Sequence, residues 1–142
     1  MSGERNQDVL RRVIEEGFNR GNYGALDECF ASHYAEQQFG LSPDLAGFKN
    51  DIAGLRRAFP DLHLTIEDAV ADGDKVWMRC TARGTHRGAF MGLPPTGRTY
   101  TITVIDICRF ADGRIVEHWG VPDRFALMQQ LGLMPARQPA AA

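Results

Sequence analysis

No stretch of this 142-residue chain approaches the roughly 20 consecutive apolar residues that span a bilayer, so no membrane segment is expected. Basic charge is not in excess either. Sixteen Lys and Arg stand against 18 Asp and Glu, for a net charge of −2, which leaves no concentrated basic face for nucleic acid. Cysteine is scarce: Cys29, Cys80 and Cys108 are odd in number and widely spaced. They fit buried thiols in a reducing compartment better than a disulfide framework or a zinc site. No His, Asp or Glu spacing resembles a metal site, no Gly-rich loop has the context of a nucleotide cradle, and no Ser or Cys sits in a nucleophile elbow. The opening MSGERNQDVLRR is charged and lacks the apolar core of a signal peptide, which points to the cytoplasm.

What remains is an ordinary globular composition, 44% hydrophobic and 24% charged, in a chain of one-domain length. One domain over residues 1–134 is expected, and the tail from Pro135 to Ala142, with nothing to pack, is expected to be disordered. Val9, Leu10, Val13, Ile14 and Phe18 recur at helical spacing, with Arg11, Arg12, Glu15 and Glu16 on the opposite side. After Asn19-Arg20-Gly21-Asn22, the residues Leu26, Cys29 and Phe30 predict a second, shorter helix. Leu45, Phe48, Ile52, Leu55 and Phe59 predict a third, ended by Pro60. The period then becomes two. Leu62 to Glu67, Lys75 to Thr85 and Thr99 to Phe110 predict strands, and Gly88 to Gly97 breaks regular structure with its glycines and paired prolines. Asp112-Gly113 is a tight-hairpin signal, and a last helix is expected from about Arg124 to Leu131. Helices first and antiparallel strands afterwards indicate an α+β fold with helices over one face of a curved sheet.

The last hairpin carries the candidate chemistry. With Asp112-Gly113 as a two-residue loop, Asp106 falls opposite Trp119, Val104 opposite Val121 and Ile102 opposite Asp123. Alternation then puts Val104, Asp106, Trp119 and Asp123 on one face and His118 on the other, with Ile105 and Ile107; a β-bulge would flip that assignment. Carboxylates on an apolar face must pair or shift their pKa upward, so this face is expected to line a cavity in which Asp106 and Asp123 work as acid and base. Asp123 equally fits the N-cap of the following helix, and Asp106 equally fits a pairing with Arg79 or Arg109. His86, where a strand meets the Gly/Pro loop, stands as a candidate at the cavity mouth.

The segments THRGAFMGLPPTGR, IDICRFADGRIVEHWG and PDRFALMQQLG, within Ala71 to Gly132, resemble the SnoaL-like polyketide cyclases, the ester-cyclase group of the NTF2-like superfamily. The helical half, Val9 to Pro60, followed by LHLTIED, fits the same family. The resemblance implies an α+β cone, a bent sheet around a pocket capped by helices. It also implies a homodimer through the outer sheet face, and an intramolecular aldol-type cyclisation without metal or organic cofactor. Its acid/base aspartate matches Asp123, with Asp106 assisting. Trp119, Trp77, Phe90, Met91, Val104, His86 and Glu36 are the candidates to bind a small hydrophobic carbonyl ligand. Where many members carry an Asp-His pair after the second helix, this chain reads Tyr34-Ala35-Glu36-Gln37. A non-catalytic binding protein, or another lyase, isomerase or epoxide-hydrolase-type reaction, would use the same pocket. On the outer face Ile105, Ile107, Val116 and His118 lack a helix to cover them, which is the sequence ground for a two-fold dimer.

Overall fold

Five strands form one mixed sheet: β1 Phe30–Glu36, β2 His63–Asp72, β3 Lys75–Thr85, β4 Thr99–Ala111 and β5 Arg114–Pro122, in the order β1-β5-β4-β3-β2. The structure is a computed structural model that describes residues 2–135, so the expected tail lies, apart from Pro135, outside the described residues. β2 to β5 run antiparallel, and β1 joins the edge parallel to β5. On β3 the alternation expected from the sequence places Val76, Met78, Cys80 and Ala82 in the core.

The helices lie on that inner face. α1, Ser2–Arg12, continues directly into a π-helical turn, Val13–Asn19, which turns Val13, Ile14 and Gly17 inward. Its end is tied down from two sides. Arg56 donates to the carbonyls of Phe18 and Asn19, and the Asn19 carboxamide exchanges two hydrogen bonds with the backbone of Leu64 on β2. α2, Leu45–Ala58, starts at Asp44, whose carboxylate accepts from the Gly47 amide at 2.7 Å, an N-cap that stabilises by about 1 kcal/mol. It buries Phe48 and Ile52 over the sheet. α3, Arg124–Gln130, closes the C-terminal side.

One expected helix is absent. Leu26 sits in a short 3₁₀ turn, Tyr23–Glu28, and Phe30 already belongs to β1, paired with Ile115. The apolar spacing of Leu26, Cys29 and Phe30 arises from that turn running into a strand, and all three are buried.

The Gly/Pro loop between β3 and β4 is anchored at its base and folded over the sheet. Arg87 and Gly88 both donate backbone N–H groups to the Ala58 carbonyl at the end of α2. A Cβ at Gly88 would overlap the Arg57 carbonyl oxygen, so only glycine allows this approach. Met91 and Gly92, both at positive φ, turn the chain so that Phe90 and Leu93 bond each other and Phe90 drops inward.

Candidate functional site: an imidazolium between two carboxylates

Between helices and sheet lies a cavity of about 450 Å³. Its wall is mostly apolar, with Ile14, Phe18, Phe48, Ile52 and Leu64 among its residues, and its buried polar end is formed by Asp106 and His118, with Gln38 beside them. The exposed lining residues Gly40, Asn50, Ala89, Met91 and Arg124 mark where it opens.

His118 faces inward, contrary to the register expected from the sequence. The hairpin begins as predicted, with Ala111 opposite Arg114 and Phe110 opposite Ile115, but Arg109 pairs with Glu117. Val116 is an extra residue, a β-bulge, and from there every side chain of β5 changes face. Asp106 therefore faces Gly120, Cys108 faces His118, and Trp119 falls opposite Ile107 on the outer surface. Gly120 matters at this point. A Cβ there would overlap the Gln38 carboxamide oxygen and come within 2.9 Å of Asp106 Oδ1.

Both ring nitrogens of His118 are held by carboxylates. Nε2 lies 2.8 Å from Asp106 Oδ1 and Nδ1 lies 2.6 Å from Glu36 Oε2. Asp106 and His118 are 8% and 6% exposed, so these charges meet in a medium that screens them weakly. Burial opposes protonation of the ring, but the two hydrogen bonds and the fields of Asp106 and Glu36 overcome it and push the His118 pKa up to about 9. At neutral pH the ring is an imidazolium donating from both nitrogens, and with two carboxylates the group has a net charge of −1. Tyr34 extends the chain of contacts, its hydroxyl donating to Glu36 Oε1 at 3.3 Å. Asp106 Oδ2 makes no hydrogen bond within the described residues, and Asp106 borders the cavity.

The other predicted residues separate. Phe90, Met91 and Val104 border the cavity. Asp123 does not. It is exposed, and its Oδ1 accepts from the Ala126 amide at 3.1 Å as the N-cap of α3. The premise that Asp123 sits in an apolar pocket is thereby corrected. Trp77 and Trp119 lie on the outer face, because the bulge turns Trp119 out and Trp77 alternates with the buried Val76 and Met78. Glu36 reaches His118, not the cavity wall. His86 is fully buried behind the wall, packed on Phe59 and Phe90; its Nδ1 accepts from the Thr96 amide, which leaves the proton on Nε2 without a partner among the described residues. His118 and Gln38 were not identified from the sequence as cavity residues. The available signal was polar matching: an inward His118 gathers three ionisable groups where an outward one strands them.

Among the described residues no group of three or more His, Cys, Asp or Glu side chains is arranged to hold a metal ion. Burial pushes the Cys80 thiol up to about 12 and Cys108 well above its ordinary value, with the Asp106 charge adding to both, so neither is a thiolate nucleophile. No helix among the described residues is long and apolar enough to cross a membrane.

The family model for SnoaL-like polyketide cyclases matches residues 8–131. The chain belongs to the SnoaL-like polyketide cyclase family. It is 29% identical over 130 residues to the aklanonic acid methyl ester cyclase DnrD of Streptomyces peucetius, covering 88% of this chain and 89% of that one. Among solved structures it resembles TsrD of Streptomyces laurentii, with a TM-score of 0.84, 29% identity and coverage of 92% and 97%. It also resembles IdmH of Streptomyces antibioticus, with a TM-score of 0.79, 36% identity and coverage of 89% and 98%. These likenesses establish the α+β cone of the NTF2-like fold.

Proposed function

We propose that this SnoaL-like protein is a cofactor-independent cyclase in which Asp106, and not Asp123, is the acid/base. The observation that carries this is the Asp106–His118–Glu36 group at the buried end of an otherwise apolar cavity. Asp106 Oδ2 takes the proton from a carbon flanked by two carbonyls. The resulting carbanion attacks a further carbonyl of the same molecule, forming a C–C bond, and the proton held on Asp106 returns to the new alkoxide. The product is an isomer of the substrate, so no oxidant or reductant is needed. His118, charged by its two carboxylates, keeps Asp106 aimed; Glu36 holds His118 in turn, and Tyr34 donates to Glu36. The apolar wall suits a small hydrophobic carbonyl compound.

The methyl ester of aklanonic acid, on which DnrD acts by name, is the first substrate to try. Conversion to an isomeric product, followed by chromatography and mass spectrometry, is expected. A ligand that binds in the cavity and is returned unchanged would favour the alternative, a small-molecule binding protein in which Asp106 only orients its guest.

The outer face supports a homodimer. Val70, Trp77, Ile107 and Trp119 stand in one row of directly paired positions across four strands, and Val70 and Trp77 are 58% and 47% exposed. Ile105 pairs with Val121 in the next row but one along β4, extending the apolar surface. All helices lie on the opposite side, and the same face of a second copy covers such a surface by two-fold symmetry. His118 takes no part in it. Light scattering is expected to give twice the 15.8 kDa chain mass, and Trp119→Glu is expected to return it to 15.8 kDa. A wild-type mass of 15.8 kDa would refute the dimer.

A further inference from the structure

Arg124 is the cation on the cavity wall at its open end, and its setting is unusual. Its guanidinium lies 5.8 Å from the centroid of the Phe90 ring and its Nη1 lies 3.8 Å from Met91 Sδ. Phe90 is buried and fixed by the turn it shares with Leu93, so the guanidinium rests on a rigid platform. Yet Arg124 forms no salt bridge among the described residues. Among the described residues the only carboxylates on the cavity wall are Asp106, bound to His118, and Asp51, which accepts from both the amide and the hydroxyl of Ser42. Arg124 is thus positioned by soft contacts and meets no anion among the described residues.

The cavity is polarised along its length. The buried end carries a net charge of −1 on Asp106, His118 and Glu36, and the mouth carries the charge of Arg124. Gly120 is the cross-strand neighbour of Asp106, and Arg124 follows it by four residues, a separation on the order of 10 Å. That is the span of a flat molecule of two or three fused rings. An anionic ligand entering this field is repelled by the inner end and attracted at the mouth.

We propose that Arg124, on its Phe90 and Met91 platform, is a specificity subsite for a carboxylate at the distal end of a flat aromatic carbonyl ligand. The direction of entry, carbonyl inward and carboxylate at the mouth, rests on the proton-transfer reading of Asp106. The planar guanidinium offers two parallel N–H donors to such a group.

The test is calorimetric titration of the full chain with anthraquinone-2-carboxylate and with its methyl ester, which share shape and differ in charge. The acid is expected to bind about tenfold tighter than the ester at low salt, and less so as salt rises. Arg124→Gln should lower the affinity for the acid to that for the ester and leave the ester unchanged, and Arg124→Lys should keep part of the preference. Arg124 is exposed, so both variants are expected to fold, which circular dichroism checks. Equal affinities in the wild type, an Arg124→Gln variant that weakens both probes alike, or no binding of the acid at millimolar concentration would each overturn the proposal. The preference is independent of proton transfer: if Asp106→Asn retains turnover while Arg124→Gln erases the acid preference, the acid/base reading falls and the subsite stands.

Discussion

Asp106→Asn is expected to lower the turnover number for cyclisation about a thousandfold while KM stays within a few-fold. The substitution keeps the shape of the side chain and an oxygen to accept from His118 Nε2, but it removes the group that carries the proton. Because the carboxylate and the reacting carbon meet only in the chemical step, the loss should fall on kcat. Asp123→Ala supplies the contrast. Asp123 is an exposed N-cap whose removal should destabilise the fold by about 1 kcal/mol and leave kcat nearly unchanged. Steady-state kinetics and thermal melts on the two variants decide between the aspartates. A large kcat loss in Asp123→Ala with little in Asp106→Asn would reverse the assignment.

The second large effect is on stability. His118 has a folded pKa of about 9 against an ordinary value of 6.5, so the folded state holds a proton that the unfolded chain releases. The associated stabilisation is fully present below pH 6.5 and is lost as pH rises through 9. By linkage it totals about 3 kcal/mol, of which about 2 kcal/mol disappears between pH 6.5 and 8.5. Above that range the buried thiols add a slope of the same sign, so the comparison belongs below it. Urea unfolding midpoints across this interval are expected to fall in the wild type. Glu36→Gln, which removes one of the two carboxylates, should roughly halve the slope. His118→Gln should remove the slope and, by leaving Asp106 and Glu36 buried without a cation, destabilise the protein at neutral pH by about 3–5 kcal/mol. A flat wild-type profile would mean that His118 is not charged between its carboxylates.

Most of the framework is legible in the amino-acid sequence because it rests on local periodicity. The alternation of Lys75 to Thr85 and Thr99 to Phe110, and the helical spacing of Phe48, Ile52 and Leu55, each specify one buried face regardless of what lies opposite. β1 is not legible in this way. Phe30–Glu36 has only Phe30 and Tyr34 as buried apolar residues, its pairing with β5 is interrupted between Phe30 and Ala35, and its partner lies some 80 residues away in the chain. The site failed at a single residue. Counting from the Asp112-Gly113 turn gives the correct faces for Phe110 and Ile115, and the Val116 bulge reverses everything beyond them. A bulge leaves no mark in composition or propensity. The cue lies in long-range consistency: only the shifted register places His118 against Asp106 and Glu36 while sending Trp119 to join Trp77 and Ile107.

That arrangement of the aromatic residues has an optical consequence. Trp77 and Trp119 are the two tryptophans of the chain, and Trp77 pairs with Ile107, which pairs with Trp119, on the face turned away from the cavity. Intrinsic emission therefore reports the polarity of the outer sheet surface. If the proposed dimer forms, its maximum should move to longer wavelength on dilution, as water replaces the second copy, and a guest filling the 450 Å³ interior should scarcely disturb it. A silent fluorescence titration of this molecule says nothing about occupancy, and a responsive one reports on the outer sheet face.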